Sequence, residues 1–163
     1  MKSLKPKAML PREKVEVPAL QHNVPASISS LLSVKIGIDL VEVSKVQKVF
    51  GKKRSFQEAI FTPDELDYAL SRRNPYAHLA ARFAVKEALF KALGTGLSSD
   101  VDWREVEVHK EFSGRPVLRL SGRTARFADK TGVVGHTLSL THTESYALAF
   151  VLLMLTDSDK ASV

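Results

Sequence analysis

Apolar positions change their spacing along the chain, and each change marks an element. Over residues 34–41 they alternate, with Val34, Ile36, Ile38 and Leu40 on one face and Gly37 and Asp39 on the other. That period predicts a strand, with Asp39 emerging near its end beside a glycine that leaves room. Farther on the spacing lengthens. At roughly 100° per residue, Leu79, Phe83 and Phe90 share one side of a helix, and Val85, Ala88, Leu89, Ala92 and Leu93 carry apolar character around most of the rest. A helix apolar nearly all round is largely buried, so this one is predicted to be the centre of the fold.

Shorter elements are punctuated by caps and turns. Ser44 is placed to cap a short basic helix running to about Phe50 and ended by Gly51. Thr62-Pro63-Asp64-Glu65 forms a capping box with proline at the first helical position, opening a helix to about Ser71. Arg72-Arg73-Asn74-Pro75 then breaks the chain. Val106 and Val108 alternate with polar neighbours, Ser113-Gly114 turns, and Val117 to Leu120 returns as a partner strand. Ser121 is placed to cap a helix to about Lys130, closed by Gly132. Two strands follow, Thr137 to His142 and Tyr146 to about Leu155. The last is apolar on both faces, as expected for a strand covered by helices on one side and by another layer or another subunit on the other. Residues 1–34 show little periodicity and read as a flexible extension with at most a short ordered piece near Ile28 to Leu32. Residues 35–157 form the expected domain, and 158–163 a tail.

A chain of 163 residues with 44% hydrophobic and 26% charged residues suits one domain with a proper core. The absence of cysteine excludes disulfides, thiolate metal sites and a cysteine nucleophile, and is compatible with the cytoplasm. The longest apolar run, Ala147 to Leu155, falls short of the ~20 residues that cross a bilayer, so no membrane partner is expected; Pro11, Pro18 and Pro25 interrupt any secretory signal.

The net charge of +6 is unevenly placed. Residues 1–34 carry +3, and Lys45, Lys48, Lys52, Lys53 and Arg54 form a +5 cluster without an acid among residues 44–57, leaving the rest mildly acidic. Such a cluster is commonly a solvated face; the sharper reading is a docking surface for an acidic macromolecule. Nucleic acid is disfavoured as the partner, because there is one tryptophan, aromatics do not interleave with the cluster, and no ribonucleoprotein signature is present.

The central helix also carries ionisable groups, Glu87 with Lys91 and Arg82 with Lys86, each pair one turn apart. An exposed Glu-to-Lys pair contributes a few tenths of a kcal/mol, but in apolar surroundings the same groups need partners. Gly94-Thr95-Gly96 at the helix exit reads either as an ordinary left-handed terminus or as backbone that approaches a phosphate; it is not a Walker A loop. Arg72 and Arg73 are either solvated loop charges or phosphate contacts. His142, sharing a face with Leu138 and Leu140, reads by itself as a hydrogen-bonded core histidine.

Taken in order, Gly37-Ile38-Asp39, Arg82-Phe83-Ala84-Val85-Lys86-Glu87-Ala88, Lys91-Ala92-Leu93-Gly94-Thr95-Gly96 and Ser139-Leu140-Thr141-His142-Thr143 resemble the holo-acyl-carrier-protein synthase family of phosphopantetheinyl transferases. The resemblance spans about residues 35–155. It implies an α+β fold, with helices packed on an antiparallel sheet, that assembles as a trimer with sites between subunits. It implies transfer of 4′-phosphopantetheine from coenzyme A to a serine of an acidic apo acyl carrier protein in fatty acid biosynthesis, or to carrier domains of peptide or polyketide synthases. By matching position, Asp39 and Glu87 would hold Mg²⁺, and Lys91 would stabilise charge on the leaving oxygen; the base that deprotonates the serine stays open. Arg82 and His142 would meet the 3′-phosphate, Ser113, Gly114, Arg115 and Pro116 the adenosine end, Gly94, Thr95 and Gly96 the phosphopantetheine, with Thr143 beside His142. The cluster from Lys45 to Arg54 would dock the carrier. Three departures stand out: Lys45 replaces a common arginine, Ser113 an asparagine, and the extension has no counterpart in the minimal domain.

Overall fold

The computed structural model describes residues 32–96 and 98–156. Helix α4 (Pro75–Leu93) runs through the middle. Asn74 caps it, its side chain accepting from the Ala77 amide at 3.3 Å, and Gly94 ends it in the left-handed conformation at φ 77°. The lack of a polar face has the expected consequence: Leu79, Ala84, Val85, Ala88, Leu89 and Phe90 are at most 1% exposed.

One face of α4 lies on a three-stranded antiparallel sheet in the order β1 (Leu32–Glu42), β5 (Tyr146–Thr156), β4 (Val133–His142). A separate hairpin, β2 (Val106–Lys110) with β3 (Pro116–Leu120), packs beside it. Helices α1 (Val43–Phe50), α2 (Arg54–Ile60) and α3 (Pro63–Leu70) precede α4, and α5 (Gly122–Lys130) lies between the hairpin and β4. The expected α+β class, antiparallel sheet and packed helices, is the architecture observed.

Gly37 fixes the approach of β1 to α4. A Cβ there would lie 1.8 Å from the Ala88 carbonyl oxygen and 2.9 Å from the Ala92 amide nitrogen, so only glycine lets strand and helix backbones come this close. The small-residue face of β1 therefore points inward. Its apolar face, with Val34, Ile36 and Ile38 each 54% exposed and Leu40 62%, points outward together with Leu148 and Met154 of β5. Alternation identified the two faces of β1 but not which one the chain itself covers.

A buried ion pair ties the helices to the hairpin. Lys86 Nζ lies 2.7 Å from Glu65 Oε2, both side chains fully inaccessible, and donates to the carbonyls of Ile60 at 2.9 Å and Trp103 at 2.8 Å. The Glu65 carboxylate also accepts from the amides of Thr62 and Val108. Glu65 thus closes the expected capping box of α3 while serving the core. Lys86 is anchored here, pointing away from the side of α4 that carries Glu87.

Several local expectations are corrected. Ser44 does not cap α1: Glu42 occupies the cap position, and the Ser44 hydroxyl donates to its carboxylate instead. Ser121 sits at the cap position of α5 without a side-chain cap bond; the Glu105 carboxylate takes that role, accepting from the Thr124 amide and hydroxyl at 2.9 Å. Helix α2 had no counterpart in the pattern. Strand β1 starts at Leu32, inside the segment read as extension, and β4 starts at Val133 rather than Thr137. The rest of the extension, the piece near Ile28 and the tail lie outside the described residues.

Candidate active site

Where β1 crosses α4, Asp39 arrives beside Glu87 and Lys91. Lys91 Nζ is 2.7 Å from Asp39 Oδ1 and 3.1 Å from the Ile38 carbonyl oxygen. The intrahelical Glu87–Lys91 pair suggested by spacing is replaced by this longer-range one. Asp39 and Glu87 line a hollow of about 340 Å³ with Val46, Val49, Phe50 and Phe83, and with Glu42, whose carboxylate is bridged to Lys45. Burial, then the charge of Asp39, raises the Glu87 carboxyl above the usual carboxylate range, with Lys91 opposing the rise.

Two carboxylates whose charges act on each other at the mouth of a partly apolar hollow attract a cation. Among the described residues, no cluster of three or more histidine, cysteine or acidic side chains could hold a metal alone. The donor set therefore fits a hard divalent ion that takes two protein oxygens and completes its shell from water and substrate oxygens.

A second hollow of about 160 Å³ opens elsewhere, lined by Tyr68, His78, Arg82, Lys110, Gly114, Pro116 and His142 among others, with no carboxylate among the described residues of its lining. Arg82 and Glu87 are five residues apart on α4, about 140° around the helix, which sends them to different sides. Asp39 pairs with Ala149 and Ala149 with Leu140, so His142 stands two strands and two residues away from Asp39, roughly 12 Å along the sheet. The two hollows share no lining residue.

Arg82 is only 6% exposed. Its guanidinium lies 4.1 Å from the Tyr68 ring centre, Nη1 donates to the His78 carbonyl at 3.3 Å, and its buried Nε has no partner among the described residues. His142 is packed edge-on against His78. His78 was missed from sequence; its place one turn before Arg82 was the available signal.

The remaining residues are dispersed. Gly114 turns the β2–β3 hairpin at φ 91°; Ser113 and Arg115 are both bonded to Glu111, Arg115 through Nε and Nη2 at 3.1 Å. Thr143 is committed to the β4–β5 turn, its hydroxyl accepting from the amides of Ser145 and Tyr146. Gly94, Thr95 and Gly96 follow α4, Gly96 at φ 54°, with the Thr95 hydroxyl donating to the Gly96 carbonyl at 2.9 Å.

The basic cluster spans α1, α2 and the link between them. Lys45 bridges to Glu42 at 3.5 Å and Arg54 to Glu58 at 3.0 Å, so part of its charge is compensated from just outside residues 44–57. Lys48, Lys52 and Lys53 have no such bridge among the described residues. Contrary to expectation an aromatic does stand among them, Phe56, 47% exposed, with Val49 nearby on α1 at 50%.

Residues 35–151 match the family described as the 4′-phosphopantetheinyl transferase superfamily. The chain is 37% identical over 134 residues to a holo-[acyl-carrier-protein] synthase of Ruminiclostridium cellulolyticum, covering 81% of this chain and all of that one. It is similar in fold to the holo-[acyl-carrier-protein] synthase of Neisseria meningitidis, with TM-score 0.68 and 31% identity, covering 73% of this chain and 96% of that one. It is likewise similar to a Chronobacterium ammoniagenes ACPS-CoA complex, with TM-score 0.68 and 32% identity, covering 76% and 98%.

Proposed function

Because the chain belongs to the 4′-phosphopantetheinyl transferase superfamily, we propose that it is a holo-[acyl-carrier-protein] synthase that moves 4′-phosphopantetheine from coenzyme A to a serine of apo acyl carrier protein. The observation that carries the reading is the meeting of Asp39, Glu87 and Lys91 at the crossing of β1 and α4.

In the reaction the serine oxygen bonds to the phosphorus that carries pantetheine, the pyrophosphate P–O bond breaks, and adenosine 3′,5′-bisphosphate departs. The serine proton leaves to a base, for which the carboxylates of Asp39 and Glu87 are the nearby candidates. Asp39 and Glu87 would hold Mg²⁺, which would neutralise charge on the pyrophosphate. Lys91, half-exposed and already paired with Asp39 of the hollow, faces the oxygen that gains charge as the P–O bond breaks. Arg82 and His142 hold the 3′-phosphate, Gly114 and Pro116 border the adenosine, and the exit at Gly94, Thr95 and Gly96 borders the phosphopantetheine.

Separate hollows for the two ends of coenzyme A fit a site shared between copies. The outward apolar face of β1 and β5 supplies the contact, and a homotrimer places the Asp39 side of one copy beside the Arg82 side of the next. Lys48, Lys52 and Lys53, with Val49 and Phe56, form the surface for the acidic carrier. The setting is cytoplasmic fatty acid biosynthesis. No helix among the described residues is long and apolar enough to cross a membrane.

Intact-protein mass spectrometry of an apo acyl carrier protein incubated with the chain, coenzyme A and magnesium tests the reading, with EDTA as control. A phosphopantetheine mass gain only when magnesium is present is expected. No gain from a folded enzyme on fatty-acid carriers, with gain on peptide or polyketide synthase carriers, would move the substrate and keep the chemistry.

A further inference from the structure

His78, on α4 one turn before Arg82, meets His142 of β4 edge to face, with ring centres 4.7 Å apart at 77°. Among the described residues, the ionisable groups that line the hollow with His78 are cations, imidazoles and a phenol, His109 of β2 among them. α4 brings Arg82, the loop before α4 brings Arg72, β2 brings Lys110 and β4 brings His142. α3 closes the side with Tyr68, whose ring centre is 5.7 Å away. Among the described residues, the hollow they form has no carboxylate in its lining. Glu65 is committed to Lys86, and Asp64 and Glu107 border a neighbouring hollow that shares Tyr68, Arg82, His109 and Lys110 with this one. Two imidazoles in contact, among arginines and a lysine, cannot both carry a proton without strong repulsion. Burial first, then the charges of His142, Arg82, Arg72 and Lys110, hold the His78 ring down at about 4 against an ordinary 6.5.

Arg82 supplies a second observation. It is a fixed cation, 6% exposed, whose buried Nε lacks a partner among the described residues. A buried donor left unmatched is costly, and an anion entering the hollow is the partner of the right charge. A phosphate monoester would bring close to two negative charges at neutral pH, reversing the field at the histidines.

Resting on the reading of this hollow as the 3′-phosphate site, we propose that His78 is a further phosphate ligand that takes up a proton from solvent as that phosphate enters. Neutral His78 offers one N–H; protonated, it offers two and a full charge. Selection of coenzyme A over dephospho-coenzyme A is thereby linked to pH, and coenzyme-A affinity weakens as pH rises.

Titration calorimetry of the full chain at pH 7, in buffers of different ionisation enthalpy, counts the protons directly. Coenzyme A should bind with uptake of about half a proton or more, and dephospho-coenzyme A with none. His78→Gln and His78→Phe should both lose the uptake and bind coenzyme A roughly tenfold more weakly, with dephospho-coenzyme A affinity unchanged. Preference for coenzyme A without proton uptake, or uptake undiminished in both variants, overturns the role of His78 and leaves the pocket assignment standing. Equal binding of the two ligands without uptake overturns the pocket assignment and the proposal together.

Discussion

Lys91 Nζ lies 2.7 Å from Asp39 Oδ1, across 52 residues of chain. The ammonium also donates to the Ile38 carbonyl at 3.1 Å, so a cation already sits where the two carboxylates converge. The pair is half-exposed on the lysine side and contributes at most about 1 kcal/mol to stability. In the proposed reaction its use is chemical. Lys91→Ala should lower kcat about 10²–10³-fold while changing the KM for coenzyme A less than roughly threefold, with nearly unchanged thermal stability. Steady-state kinetics beside a melting curve measure this; a KM effect with intact kcat would make Lys91 a binding residue only.

Glu87 pits stability against activity. Its carboxyl holds a proton more tightly in the folded chain than the ordinary value of 4.5, through burial and then the charge of Asp39. A raised folded pKa adds stability that is complete below the unfolded pKa and is lost as pH rises through the folded one. Ionised Glu87 therefore weakens the metal-free fold at neutral pH. Glu87→Gln should raise the Tm of metal-free protein at pH 7, lose that advantage below the unfolded pKa, and abolish transfer. Wild type alone should gain appreciably from added magnesium. Melting curves at both pH values with and without magnesium decide it, and a lower Tm for the variant at pH 7 would contradict the sign.

Gly37 tests how tightly the site depends on the crossing. An alanine Cβ would press on the Ala88 carbonyl and the Ala92 amide, and backbone cannot yield as a side-chain tip can. Gly37→Ala should cost about 1–3 kcal/mol and carry Asp39 away from Glu87 and Lys91, so transfer falls even at temperatures where the variant is folded. A variant with wild-type kcat would mean that β1 moves without disturbing Asp39.

Local chemistry made much of this legible in the sequence. The capping box at Thr62 and Glu65, the proline start and glycine stop of α4, and the Ser113-Gly114 turn follow from side chains acting on nearby backbone. What required the fold was partnership across distance. Spacing paired Lys91 with Glu87, but β1 brings Asp39 closer. Spacing set Lys86 one turn from Arg82 without naming a partner for it, and Glu65 receives it in the core. Helix α2 is seven residues long, too short for a periodic signal, and its charges read as a single patch with those of α1. His78 drew no notice because its meaning comes from His142, on another element.

The basic surface should act on encounter rather than on chemistry. Lys52→Ala with Lys53→Ala removes charges that have no bridge among the described residues, and Phe56→Ala removes the exposed ring beside them. The lysine pair should raise the KM for carrier several-fold at low salt, an effect that shrinks as salt screens it. Phe56→Ala should raise KM independently of salt. Coenzyme-A affinity should not change in either. Carrier titrations at two ionic strengths separate the two contributions, and an unchanged KM at low salt in the lysine variant would remove this surface from carrier docking.

The outward face of β1 bears on whether one chain is a complete enzyme. Val34, Ile36, Ile38 and Leu40 are more than half exposed, so they are free to be changed without disturbing the chain's own core. Ile36→Asp with Ile38→Asp should leave the circular dichroism spectrum intact, convert the proposed trimer to monomers by light scattering, and lose transfer although Asp39, Glu87 and Lys91 are untouched. Loss of activity alone could reflect local distortion, so complementation is the sharper test. Asp39→Ala breaks one hollow and Arg82→Ala the other, and each homotrimer should be inactive. If each site joins the Asp39 side of one copy to the Arg82 side of the next, random mixed trimers regain sites wherever the intact halves meet. Equal co-expression should then restore about a quarter of the sites. If one chain supplied both halves, no mixture would recover.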